Sequence, residues 1–168
     1  MKKILIIGNV GAGKTTFALK LSEKLNIPLV HLDKLYWCGR WEHISREEFD
    51  DLLGAELEKP EWIIDGNFNR TLPRRLECCD TVFFFDFSPF VCLWGVTKRV
   101  INNYGKTRSD MGGECPEYFD KMKIELYKNV FKYNKNNRNR YYEMLKNSQA
   151  EVVVFRNRKD VKKYFKEH

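Results

Sequence analysis

"GNVGAGKT", residues 8–15, decides how the rest of the chain is read. It matches G-x-x-x-x-G-K-[ST] through Gly8, Gly13, Lys14 and Thr15, and it stands between a strand pattern and a helix pattern, the context the motif needs. Ahead of it, "KKILIIG" (2–8) is an unbroken apolar run ending in glycine, which reads as a strand buried on both faces. Behind it, "KTTFALKLSEKL" (14–25) sets Phe17, Leu21 and Leu25 at helical spacing, with Ala18 beside them. Glycines at 8, 11 and 13 let successive backbone N–H groups turn inward on a phosphate, and the helix that follows adds the positive end of its dipole. The motif predicts a phosphate-binding loop of Gly8, Asn9, Val10, Gly11, Ala12, Gly13, Lys14, Thr15 and Thr16. Lys14 is expected at the β- and γ-phosphates of ATP and the Thr15 hydroxyl on Mg²⁺.

Outward from the loop, strands and helices alternate. "IPLVHLD" (27–33) predicts a second strand closing on an aspartate. "SREEFDDLLGAELEK" (45–59) opens with Ser45 and carries Glu48 three residues on, a capping box that starts a helix. "EWIIDGN" (61–67) and "DTVFFFDF" (80–87) read as two more strands, and Ser88-Pro89 suits the cap and first residue of a helix over 88–103. "EVVVF" (151–155) is a fifth strand before a short terminal helix. This alternation predicts an α/β fold of the P-loop NTPase type over 1–168: a five-stranded parallel sheet flanked by helices, with an insertion over 104–147 before the last strand. Within the insertion, a glycine-punctuated loop (104–116) leads to a helix over 117–133 whose stripe, Phe119, Met122, Leu126, Val130 and Tyr133, is expected to face the core. Lys121, Lys123, Lys128, Lys132 and Lys135 lie mostly off that stripe and are expected in solvent. "NKNNRNR" (134–140) is poor helix material.

The loop needs an acidic partner for its metal at the end of a neighbouring strand. Asp33, Asp65 and Asp86 all end predicted strands. Asp65, followed by a glycine that lets the chain turn, is the first choice, and Asp86 is a second metal candidate. Asp33 reads either as a turn residue or as part of the acceptor site. Beyond it, Tyr36, Trp37 and Trp41 surround Arg40, an arrangement that either stacks a base or sugar and clamps a charge, or packs the core.

"WIIDGNF" followed by Arg70 resembles the D-G-x-P-R turn of nucleoside monophosphate kinases, with Arg70 five residues past Asp65 rather than four and no proline. Taken together, "HLDKLYW", "WIIDGNF", "CLWGVTKR" and "RSDMGGECPE" in this order resemble the bacterial DNA topology modulation proteins, an adenylate-kinase-related P-loop family. The resemblance spans nearly the whole chain and implies the fold and the use of ATP, not the acceptor. In P-loop kinases that phosphorylate a hydroxyl, an aspartate placed like Asp33 takes or orients the acceptor proton; monophosphate kinases need none. The segment 33–59 then becomes the acceptor side, with Asp33, Tyr36, Trp37, Arg40, Arg70 and Arg138 as acceptor-binding candidates. The 104–116 loop corresponds to a lid that closes on glycine hinges and brings Arg99 and Arg108 to the transferred group, and Arg138 and Arg140 resemble arginines of the lid's returning helix. Some lids hold zinc on four cysteines; this loop has only Cys115, and no zinc is expected. Arg156, after the last strand, falls in the loop that holds adenine.

Charge leaves a second reading open. Residues 1–97 hold 12 Lys+Arg against 14 Asp+Glu, whereas residues 98–168 hold 18 against 9. An anionic partner is implied on the second half: nucleotide phosphates, nucleic acid, or both. The alternatives to a small-molecule or nucleotide kinase are a nucleic-acid regulator that uses the loop as a nucleotide switch, although no DNA-reading motif is present, and a degenerate kinase that binds ATP without turnover. "TVFFFDFSPFVCLWGV" (81–96) is interrupted by Asp86, Ser88 and Pro89 and is too short for a membrane span, and the N-terminus does not read as a signal peptide. Five cysteines without a C-x-x-C pair read as free thiols of a reducing compartment, so a cytoplasmic location is expected, without membrane association; the oligomeric state stays open.

Overall fold

The structure is a computed structural model and describes residues 1–133 and 137–168. In chain order the elements are β1 (Lys3–Gly8), α1 (Lys14–Leu25), β2 (Leu29–His31), α2 (Leu32–Tyr36), β3 (Trp37–Gly39), β4 (Glu42–His43), α3 (Arg46–Glu58), β5 (Trp62–Asp65), α4 (Leu72–Cys78), β6 (Thr81–Phe85), α5 (Pro89–Asn102), α6 (Lys121–Tyr133), α7 (Asn139–Lys146), β7 (Glu151–Phe155) and α8 (Arg158–Glu167). Five of the strands form one parallel sheet in the order β2-β5-β1-β6-β7. The predicted fold class is the observed one.

Strand β1 shows why both faces must be covered. Ile4 and Ile6 point to one side, into a core built with Phe17, Ala18 and Leu21 of α1 and Cys92, Val96 and Val100 of α5. Leu5 and Ile7 point to the other, against Phe49, Leu53 and Leu57 of α3 and Tyr141 and Leu145 of α7. All four are fully buried, each contributing about 1.5–3 kcal/mol of transfer free energy. The loops that leave the C-terminal ends of β1, β2 and β5 therefore emerge side by side.

Several expectations change. The second strand stops at His31 rather than at residue 33; Leu32 is fully buried and starts α2, which places Asp33 in the first turn of a short helix instead of at a strand end. The helix expected from 117 begins at Lys121, because Glu117 is held by backbone bonds to Gly105 and Lys106, and the Asp120 carboxylate accepts from the Lys123 N–H as a cap. Only the later part of the predicted stripe is buried: Val130 and Tyr133 are 1% and 5% exposed, but Phe119 and Met122 are 56% and 46% exposed. Lys123, expected in solvent, is 5% exposed. The β3–β4 hairpin, α4 and α7 carry no strong pattern in the sequence and are additions to the expected elements. Lys135 and the start of the "NKNNRNR" segment lie outside the described residues. Among the described residues no helix is long and apolar enough to cross a membrane, and 81–96 is instead β6, a turn and the start of α5. All five cysteines are free, and Cys115 is buried with its thiol donating to the Gly112 carbonyl.

Candidate functional site

The 8–15 loop folds as the motif requires. Gly13 caps α1 in the left-handed region (φ 94°), a conformation a side chain strains, and no side chain caps that helix. Its first N–H groups are thus free to meet an anion, where α3, α5 and α8 spend theirs on Ser45, Ser88 and Asn157. Gly11 is demanded by space: a Cβ there would lie 2.1 Å from the Cys92 carbonyl, and one on Gly95 would lie 2.0 Å from the Gly11 carbonyl. Helix α5 thus rests backbone to backbone on the loop. Gly95→Ala is expected to cost about 1–3 kcal/mol by overpacking, seen as a fall of several degrees in Tm together with weaker nucleotide binding. An unchanged Tm would show that the contact is slack.

Two residues from "WIIDGNFNR" and the following helix fix the loop from below. The Asn67 side chain accepts from the Gly8 N–H at 3.0 Å and donates to the Gly8 carbonyl at 2.8 Å. The fully buried Arg75 donates to the carbonyls of Gly66, Asn67 and Phe68, and burial lowers its pKa to about 10. Together they tie the turn after β5 to the start of the phosphate loop. Sequence reasoning misses both: Asn67 stands in the quoted motif, but nothing in the sequence says that it reaches Gly8.

Asp65 follows from this placement. Its Oδ2 accepts from the Thr15 hydroxyl at 2.7 Å, and its Oδ1 is buried without a hydrogen-bond partner. His31 Nδ1 is 3.4 Å from Oδ2. A hydroxyl and a carboxylate oxygen facing one another, one lone pair unspent, form the hard-oxygen pair that suits Mg²⁺ held largely through water. Lys14 Nζ donates to the Asn9 carbonyl at 3.0 Å; burial lowers its pKa, and the Asp65 charge opposes that shift.

A cavity of about 490 Å³ runs from this loop. Lys14, Thr15, Asp65, Asp33, Arg99 and Arg108 all line it, so it gathers every residue expected to catalyse. A second cavity of about 360 Å³ shares Asp33 and Phe68 with the first and is walled by Tyr36, Trp37, Phe49 and Arg70. The aromatic walls also pack one another: Tyr36 meets Phe49 and Phe68 edge-on and stacks on His43, so packing and pocket are one assembly. Asp33 stands where the cavities join. Its side chain is 42% exposed, yet the cleft around it is dense enough that burial raises its pKa above 3.8, with Arg108 opposing.

Other candidates lie elsewhere. Arg40 is exposed at the hairpin turn, its N–H donating to the Glu114 carbonyl, and lines neither cavity. Arg138 forms a bidentate pair with Asp86 at 2.7 and 2.8 Å and also lines neither. Asp86 accepts from Tyr142 as well, at 2.7 Å, so both of its oxygens are spent on protein donors rather than left for a metal. Arg156 is exposed beyond β7; burial pushes the Asp86 carboxyl up, but the hydrogen bonds from Arg138 and Tyr142, and after them the charges of Arg138 and Arg156, hold it below the usual range. Arg70 lines the second cavity but pairs with Asp50 through two 2.7 Å bonds, an exposed pair that a ligand can displace at a cost of about 1 kcal/mol or less. The 104–116 loop packs on the hairpin: a Cβ on Gly112 would lie 1.9 Å from the Trp37 carbonyl, and Trp41 Nε1 donates to the Pro116 carbonyl at 3.2 Å. Gly112, expected as a hinge, serves close approach in this arrangement.

No protein-family model matches the chain, and no match was found among curated proteins. Solved structures do match. The shikimate kinase of Bacteroides thetaiotaomicron aligns over 98% of this chain and 94% of its own at a TM-score of 0.56 and 18% identity. The shikimate kinase of Acinetobacter baumannii, in complex with shikimate, aligns over 99% and 90% at a TM-score of 0.60 and 14% identity. At such identities the likeness is one of fold, and the fold is the P-loop architecture of those kinases.

Proposed function

We propose that this protein is an ATP-dependent kinase that transfers the γ-phosphoryl group to a hydroxyl of a small acceptor. The observation that carries the reading is the joined pair of cavities. One is floored by the phosphate loop, the other is walled by aromatics, and Asp33 is common to both. The backbone N–H groups from Asn9 to Thr15 would hold the phosphates, with Lys14 beside the β- and γ-groups. Thr15 and Asp65 would hold Mg²⁺, which when bound neutralises phosphate charge. Asp33 accepts or orients the proton of the acceptor hydroxyl. Arg99 and Arg108 face the charge that develops on the transferred oxygens. Arg156, exposed beyond β7, is the candidate for contact with the base of the nucleotide. The flat aromatic walls suit an acceptor with a planar or ring-shaped body, with Arg46 and Arg70 at hand for an anionic group.

The nucleic-acid reading draws on the basic second half of the chain, and the structure gives four of its 18 lysines and arginines buried acid partners. Arg99, Arg108 and Lys123 turn onto Glu117, and Arg138 onto Asp86. The DNA topology modulation resemblance rests on the sequence motifs alone. Screening nucleosides, nucleoside monophosphates and small hydroxy acids and sugars for stimulated ADP release tests the proposal. At least one hydroxyl-bearing compound is expected to stimulate release, and that stimulation should vanish in Asp33→Asn. A panel in which only monophosphates act, independently of Asp33, would replace the hydroxyl acceptor with a phosphate one.

A further inference from the structure

Glu117 is fully buried, yet it is surrounded by cations. Its Oε1 lies 3.4 Å from Arg99 Nε and 3.3 Å from Arg108 Nε, and its Oε2 lies 2.6 Å from Lys123 Nζ. The two arginines reach it from α5 and from the 104–116 loop, and both line the 490 Å³ cavity, whereas Glu117 and Lys123 do not. Its backbone is pinned too: its N–H donates to the Lys106 carbonyl at 3.1 Å, and its own carbonyl accepts from Gly105 at 2.9 Å. Lys123 Nζ also lies 4.6 Å from the centre of the Trp41 ring. Arg108 has further acidic neighbours in Asp110 at 3.4 Å and Asp33 at 4.0 Å.

Two guanidinium groups this close repel, and each sits on a long chain that loses rotamer freedom when fixed. Burial, and after it the charge of Arg108, both depress the Arg99 pKa, the sign of a crowded cationic site. A single carboxylate set between both Nε atoms as a charge partner, without a hydrogen bond to either, offsets the repulsion. The outer N–H groups of Arg99 are left for another anion, whereas those of Arg108 also face Asp110, Asp33 and the Met111 sulfur. Lys123 caps the second oxygen, so the acid is neutralised without drawing either arginine out of the cavity wall.

We propose that Glu117 is a positioning residue for phosphoryl transfer, holding Arg99 and Arg108 side by side at the cavity wall while touching neither nucleotide nor acceptor. The proposal rests on the kinase reading above and adds that the arginine pair is set before substrate arrives. The chemical reason is that charge aimed in advance at the developing oxyanion needs no rearrangement at the moment of transfer.

The test compares wild type with Glu117→Gln and Glu117→Asp, measuring kcat for ADP release and, separately, the Kd for ATP by calorimetry. Glu117→Gln is expected to lower kcat by about 10- to 100-fold, less than the roughly 10²–10³-fold loss of a direct donor, while the Kd changes less than about threefold. Glu117→Asp keeps the charge at a shorter reach and should recover part of that loss. A kcat that is unchanged, or that falls by the same factor as ATP affinity together with a lower Tm, would make Glu117 a structural residue only. If Glu117→Gln does not fold, Glu117→Asp decides: a wild-type kcat in that variant overturns the proposal. A wild type that fails to bind ATP removes the kinase reading itself, and the positioning role with it; one that binds ATP in a Lys14-dependent way, with kcat indifferent to Glu117, removes the positioning role alone.

Discussion

Lys14→Ala is expected to lower phosphoryl transfer by about 10²–10³-fold and to weaken ATP binding measurably, with the fold retained. The lysine stands at the mouth of α1, beside uncapped N–H groups, and its ammonium donates to the Asn9 carbonyl. Burial depresses its pKa, which means that its charge is poorly solvated where it lies; the Asp65 charge is the largest opposing influence. An anion arriving at the loop relieves that cost, so the interaction with a γ-phosphoryl is stronger than the same pair in water. Removing the side chain leaves the amides in place but takes away the one lysine that lines the cavity among the described residues. Calorimetry with ATP on both proteins checks this, with the melting curve as the control for folding. Equal affinity in the two would mean that the loop does not hold a polyphosphate, and the kinase reading would fall.

The fold was legible because its signals are local. Alternating apolar runs and capped helices state the sheet, and G-x-x-x-x-G-K-T states the loop, since both depend on residues close together in the chain. Thr15 and Asp65 were legible for the same reason: each belongs to a motif whose place in the fold is fixed by the strand before it. Arg138 was not. Its position depends on which acid it meets across the chain, and nothing near it announces Asp86, 52 residues away. Lys123 illustrates the same limit. On its helix it looks like one more solvated lysine, and only the meeting of Glu117, Trp41 and the hairpin buries it. Glu117 stands within the quoted "RSDMGGECPE" stretch, yet an acid in a loop carries no sign of burial. Asp33 was expected at a strand end and is displaced from it, because the burial of Leu32 ends the strand early and turns the aspartate onto a helix.

That displacement sets up the second large effect. Asp33→Asn should lower kcat by about 10²–10⁴-fold, the range of a positioned general base, if the acceptor carries a hydroxyl. The sign of the pH dependence follows from the environment. Burial raises the Asp33 pKa above 3.8, the nearby Asp65 and Asp110 push it the same way, and Arg108 opposes them. A base must be ionised to act, so activity is lost as pH falls through that raised value, and the acid limb of kcat/KM should lie above 3.8 in the wild type. Stability moves the other way. A carboxyl whose folded pKa is raised favours folding most while protonated, below its unfolded pKa, and that contribution is lost as pH rises through the folded pKa. The amide that Asp33→Asn introduces has no charge to bury, so at neutral pH the variant should melt no lower than wild type although its turnover has collapsed. This opposition separates loss of a base from loss of structure: a variant that is both slower and less stable would point to a packing role. A variant that is as fast as wild type and keeps the same acid limb would mean that the acceptor brings its own anion and that Asp33 only shapes the junction between the two cavities.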